Sequence, residues 1–269
     1  SGERIGDGRG NAIRTLALIL LALQQQGEVQ VADFHGGKAH NAIPNIAQAT
    51  FVTSLSKEAV EKVLAAEKEK YLAIYGSVDP DIELVLTEVA APSGVLIAGD
   101  TKRLLQLLTI VHSGVYAMST VIPGLVETSA NLGVVKMDEE KVHIEVFPRS
   151  AVDGKLDEFA LYAREIAELT GFTTIVGTKS PGWKENKDSK LAKIVAETFQ
   201  EQNGRPMKVE TIHAGLECGF HFAKNPHLDM VSIGVTTQDI HSPNEKLVLA
   251  TVEPQVRLIE ATLKKIANL

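Results

Sequence analysis

"GLVETSANLGVVKMDEEKVHIEVFPRS", residues 124–150, decides how the first two-thirds of this chain fold. Two apolar-rich runs, residues 124–137 and 141–150, flank the acidic turn Asp138-Glu139-Glu140, and each reads as a strand. A helical pattern follows over 156–171, with Leu156, Phe159, Ala163 and Ile166 on one side, and then "FTTIVGT", residues 172–178, as a further strand. The order is β-β-α-β. Upstream the same order is found in unrelated residues: strands over 28–37 and 47–55, a helix over 56–76 that Ser56 can cap and Gly76 can stop, and a strand over 81–90. Two such halves predict one antiparallel sheet with helices on one face. Two more helices are predicted, over 11–27 with Asn11 as N-cap and Gly27 as stop, and over 101–114.

"KSPGWKENKDS", residues 179–189, is polar, carries Pro181 and Gly182, and reads as a boundary. Beyond it come a helix over 190–204, short apolar strands over 208–212 and 228–235, and a helix over 253–266 with Pro254 in its first turn. Such strands suit a sheet buried on both faces. Too few of them are present for a whole α/β domain, so this second part reads as incomplete.

Composition bounds the partners. The 269 residues are 44% hydrophobic and 23% charged, with a net charge of −7 and no long block of like charge, which argues against nucleic acid. Cys218 stands alone, so no internal disulfide forms and a reducing compartment fits. The longest apolar run, residues 12–23, contains Arg14 and is shorter than the ~20 residues a membrane helix needs. No secretory signal is visible. The chain opens at Ser1 without a methionine, which reads as a processed or excised piece of something longer.

Several stretches invite chemistry, and each has a plainer reading. Gly6, Gly8 and Gly10 open a helix, but their spacing is not that of a dinucleotide loop and no strand precedes them. Glu139 and Glu140 could divide into metal ligand and base, yet they sit where solvated turn acids usually sit. His227 and Asp229 have ligand spacing but precede a strand rather than follow one. Cys218 lies near His213 and His221, although a lone cysteine is more often a small buried apolar residue. "HAGLECG", residues 213–219, has glycines that let backbone N–H groups approach a ligand. Arg149 closes a strand where a guanidinium could clamp a carboxylate. Asn41, in "GGKAHNAIP", could offer its amide to a ligand or simply form a turn. His241 follows the apolar stretch 228–235 in "TTQDIHSPNEKL", a suitable place for a metal ligand without evident partners nearby.

"DFHGGKAHNAIP", "GLVETSANLGVV", the Arg149-Ser150 strand end, "PGW", "IHAGLECG", "LDMVSIG" and "HSPNE" occur here in the same order as in the aminoacyl-histidine dipeptidases. The chain resembles that family of cytosolic dizinc metallopeptidases along its whole length. The resemblance implies an α/β catalytic domain interrupted by an α+β lid of two β-β-α-β halves. It places residues 1–10 in the connection to the lid, 11–180 in the lid, and 181–269 in the C-terminal part of the catalytic domain. The family's N-terminal catalytic half then falls outside this chain, with the bridging aspartate, the acid pair and the His-x-Asp motif.

The same resemblance implies two zinc ions, which lower the pKa of a bridging water and polarise the scissile carbonyl. It makes His241 the zinc ligand of this chain and sets Asp229 and Glu139-Glu140 aside. Asn41 and Arg149 become substrate-binding residues, with Arg149 facing the terminal carboxylate, and Gly215 offers a backbone contact. A small Xaa-His dipeptide is the implied substrate, a homodimer the implied assembly and the cytoplasm the implied location. With one ligand of a site that takes three, the chain alone is expected to bind zinc weakly or not at all and to hydrolyse nothing. Two positions depart from the pattern: Gly6 stands where relatives commonly carry histidine, and Asp239-Ile240 stand before His241 where they carry Gly-Pro. The rival reading is a non-catalytic binding or dimerisation module derived from the family.

Overall fold

The computed structural model describes residues 2–120, 123–178, 181–183, 186–210, 216–238 and 244–268, in two compact units, Ser1–Lys179 and Ser180–Leu269. In the first unit a 3-10 turn, Gly2–Asp7, leads to helix α1 (Ala12–Gln24), strands β1 (Val29–Gly36) and β2 (Ala47–Thr53), helices α2 (Lys57–Tyr75) and α3 (Ala98–Ile110), strands β3 (Gly114–Met118), β4 (Val126–Met137) and β5 (Val142–Ser150), and helix α4 (Asp153–Leu169).

β4 organises the sheet. Its one edge pairs antiparallel with β5 from Met137↔Val142 to Thr128↔Ser150. Its other edge is shared: β3 takes the stretch from Val126 to Ala130, and β1 joins at Gly36↔Val135. β2 completes the sheet beyond β1. The turn Asp138-Glu139-Glu140 closes because the Asp138 carboxylate accepts the N–H groups of Glu140 and Lys141, each at 2.9 Å.

Alternation along β5 separates two faces. Val142, Ile144 and Val146 pack into the core with Leu132 and Val135 of β4, Leu20 of α1, Leu105 of α3 and Ile166 of α4. His143, Glu145, Phe147 and Arg149 alternate onto the opposite face. Helices therefore cover one face, as the pattern predicts. The caps agree too. Asn11 accepts from the Arg14 N–H, Ser56 from Ala59 and Ser189 from Ala192. On α2, Val60 and Tyr71 are buried, and Val63 and Leu64 pack against the same core.

The strands expected over 81–90 and 172–178 belong to no ladder. Residues 82–86 do alternate inward and outward, with Leu86 against the core and Val85 81% exposed, but they pair with no strand among the described residues. A strand is a property of a pair, and apolar alternation supplies only half of it. The Val31 backbone groups of β1 bond instead to the segment around α3. The Val31 carbonyl accepts from the Leu96 N–H at 2.7 Å, and the Val31 N–H donates to the Thr101 hydroxyl at 3.1 Å. The helix expected over 101–114 ends at Ile110, and β3 takes up the chain from Gly114.

In the second unit, helices α5 (Lys190–Asn203) and α7 (Val252–Ala267) pack together, burying Val195, Thr198, Leu258 and Thr262. Of the glycine loop expected over 213–219, residues 213–215 lie outside the described residues, and Cys218 and Gly219 open a short helix, α6 (Cys218–Lys224). The expected strands over 208–212 and 228–235 form no ladder among their described residues, where Val209 and Leu228 are exposed. What pairs is short: β6 (Thr237–Gln238) with β7 (Lys246–Leu247). The protein thus mixes α and β elements about an antiparallel sheet, and no described helix is long and apolar enough to cross a membrane.

Thr101 is fully buried and stitches α3 to β1. Thr101→Val keeps the shape but strands the Val31 N–H, so it is expected to destabilise the protein by about 1–3 kcal/mol. Urea unfolding checks this; an unchanged midpoint would refute the stitch.

Candidate functional site

The face of β4 and β5 turned away from the helices carries Asn131 opposite Phe147 and Ser129 opposite Arg149. Directly opposed residues in an antiparallel pair share a face, and so do residues two apart along a strand. Glu145, Phe147 and Arg149 thus stand in file along β5. Residues 128–135 of β4 are nevertheless all buried, because the β1–β2 loop, residues 37–46, folds over this face.

Glycine allows that approach. Gly37 turns the chain with φ of +72°, and a Cβ on it would overlap the Gly133 carbonyl oxygen. Gly133 is the residue passed over where the β4–β5 register shifts, and a Cβ there would stand 2.6 Å from the His40 Cα and carbonyl oxygen. The Ala12 N–H holds the far end of the loop by donating to the Pro44 carbonyl at 2.9 Å.

His40 then lies on Phe147, ring centroids 4.5 Å apart and planes tilted by 53°. The Arg149 guanidinium carbon stands 5.2 Å from the same ring centroid, a cation–π contact. Glu145 approaches two imidazoles, His143 Nε2 at 3.0 Å and His40 Nδ1 at 3.8 Å. Asn41 follows His40 directly and is half-buried, as is Arg149. Far apart in sequence, Arg149 and the loop that carries Asn41 thus meet at Phe147, Arg149 directly and the loop through His40. His40, Asn131, Gly133 and Phe147 were not singled out in the sequence. A signal was available: asparagine and glycine inside an apolar strand mark a close backbone approach.

His241 and Gly215 lie outside the described residues, as does His213. Among the described residues no group of three or more His, Cys, Asp or Glu side chains is arranged so that it could hold a metal ion, the Glu145, His40 and His143 cluster included.

The other candidates have structural roles. The Asp79 carboxylate accepts from Arg9 at 2.7 Å and from the Gly10 N–H at 2.9 Å, which occupies the glycine-rich lead-in. Glu139 and Glu140 are exposed in the turn. Cys218 starts α6, and Gly219 lies so close to Pro181 that a Cβ would overlap the Pro181 carbonyl oxygen. Asp229 accepts the Leu191 N–H at 2.9 Å and so caps α5 from a distance. What burial it has works to raise its carboxyl. The Leu191 N–H, the Ser189 hydroxyl and the N–H and charge of Lys190 outweigh that and hold it below the usual aspartate value.

A model of peptidase family M20/M25/M40 matches residues 25–265. The chain belongs to that family. Relatives of this M20 chain include the cytosol non-specific dipeptidase of Escherichia coli strain K12, 35% identical over 99% of this chain and 55% of the relative. Among solved structures, the aminoacylhistidine dipeptidase of Vibrio alginolyticus matches with a TM-score of 0.86 and 31% identity, over 97% of this chain and 54% of that one. The chain spans about half the length of the M20 relatives it matches.

Because the folded-state value of Asp229 is depressed, its stabilisation is present above the unfolded value near 4 and is lost as pH falls through the folded one. Asp229→Ala is expected to lower the stability of the second unit by about 0.5–1 kcal/mol at pH 7, and by less at pH 3. Hydrogen exchange of the first-turn amides of α5 at the two pH values checks this; a gap that does not depend on pH would contradict it.

Proposed function

We propose that this chain supplies the lid and the C-terminal catalytic segment of an M20 dipeptidase that hydrolyses unblocked Xaa-His dipeptides. Residues 1–10 are the connection, 11–180 the lid and 181–269 the C-terminal part of the catalytic domain. The observation that carries the reading is the meeting of the Asn41 loop with Arg149 on one face of β4–β5, around Phe147. A guanidinium offers two parallel N–H donors that match a carboxylate, and the Phe147 ring lies beside that of Arg149. An asparagine amide offers both a donor and an acceptor. Together Arg149 and Asn41 suit a short zwitterionic peptide, Arg149 for its carboxylate terminus.

Gly215 adds a backbone contact in this reading, and His241 is one zinc ligand. A catalytic zinc takes three protein ligands, so the other donors come from the family's catalytic half. For the same reason, the 269 residues alone turn over nothing. Support for a dipeptide substrate comes from the relatives, one named a cytosol non-specific dipeptidase and the other an aminoacylhistidine dipeptidase. The first name also supports a cytoplasmic location. The reading includes a homodimer, as the resemblance implies.

In the protein carrying the complete catalytic site, Arg149→Ala is expected to lower kcat/KM for Ala-His by about ten- to a hundredfold, the worth of one charged hydrogen-bonded contact. Ala-His amide lacks the terminal carboxylate and should be turned over alike by both forms. Equal losses on the two substrates would show that Arg149 does not hold the carboxylate.

A further inference from the structure

Asn131 is 4% exposed in the middle of β4. Its Nδ2 donates to two carbonyls at once, His40 O and Ala42 O, each at 2.8 Å. Those carbonyls belong to the residues on either side of Asn41. Exchanging the two ends of the amide would set its oxygen against two acceptors, so the pair of carbonyls fixes its orientation. Fixed this way, Oδ1 is left buried without a hydrogen-bond partner among the described residues. A strand interior that needed only to be filled would take an apolar residue and avoid the stranded acceptor. The arrangement makes sense if both donors are needed to hold the loop. Among the described residues, the side-chain amide of Asn41 makes no hydrogen bond, so pinning the backbone on both sides leaves that amide available to a ligand.

We infer that Asn131 is the positioning residue for Asn41: it clamps residues 40 and 42 so that the amide between them meets the dipeptide in a fixed place. This rests on the reading of Asn41 as a substrate-binding residue. Asn131 does not touch the substrate itself and acts through Asn41. Gly37 and Gly133 set how near the loop lies to β4, and Asn131 sets its register along the strand.

The test uses Asn131→Asp, which replaces both donors by an acceptor, with Asn131→Ser as a second variant whose single hydroxyl can serve at most one carbonyl. Hydrogen exchange should show residues 38–43 opening at least tenfold faster while the β4–β5 amides keep their protection. In the protein with its complete catalytic site, Asn41→Ala should lower kcat/KM for Ala-His. Asn131→Asp should lower it at least tenfold, and the double variant should lose no more than the more impaired single one, because both changes remove the same contact. If Asn41→Ala matters while Asn131→Asp and Asn131→Ser do not, or if the losses add, the positioning role is overturned. If Asn41→Ala leaves turnover unchanged, the substrate reading of Asn41 fails and the positioning role with it. Loop exchange that both Asn131 variants leave unchanged overturns the clamp whatever the kinetics.

Discussion

The contact on which the site depends is backbone against backbone. The loop after β1 presses on β4 at Gly37 and Gly133, where neither strand nor loop has room for a side chain. That contact covers the outer face of β4, which explains why a central strand of an antiparallel sheet is buried on both sides. It also brings His40 onto Phe147 and sets Asn41 beside the strand pair that ends in Arg149. Core burial by α1 and α3 holds β1 and β4 at the right separation. The glycines then let the loop close over them.

Much of this was legible in the residues. The run from Gly124 to Ser150 announced two strands about an acidic turn, and the structure pairs them along nearly their whole length. Helix starts at Asn11, Ser56 and Ser189 were readable because a side-chain oxygen ahead of an apolar period has one obvious partner. Residues 81–90 and 228–235 read as strands yet join no ladder among the described residues, for one reason. Their alternation or apolarity is real, but pairing needs a neighbour, and a single stretch of sequence does not contain its neighbour. β3 was missed because five residues after a helix give too short a pattern to separate from the helix's own tail.

The candidate site was legible only in part. Arg149 and Asn41 drew notice as residue types in suggestive places, and the fold brings their segments to one face. Asn131 and Phe147, which tie those segments together, looked like ordinary strand residues, since nothing local tells that the loop of residues 37–46, far earlier in the chain, lies over them. His241 and Gly215 fall outside the described residues, so their roles rest on the resemblance.

In the proposed reading, the outer face of β4–β5, with Asn41 above it and Arg149 at its end, receives a dipeptide. The most direct measurement is a crystal structure of the protein with its complete catalytic site and a non-hydrolysable Xaa-His analogue bound. The analogue's terminal carboxylate is expected within hydrogen-bond distance of the Arg149 guanidinium and its backbone within reach of the Asn41 amide. An analogue seated with neither residue in contact would contradict it.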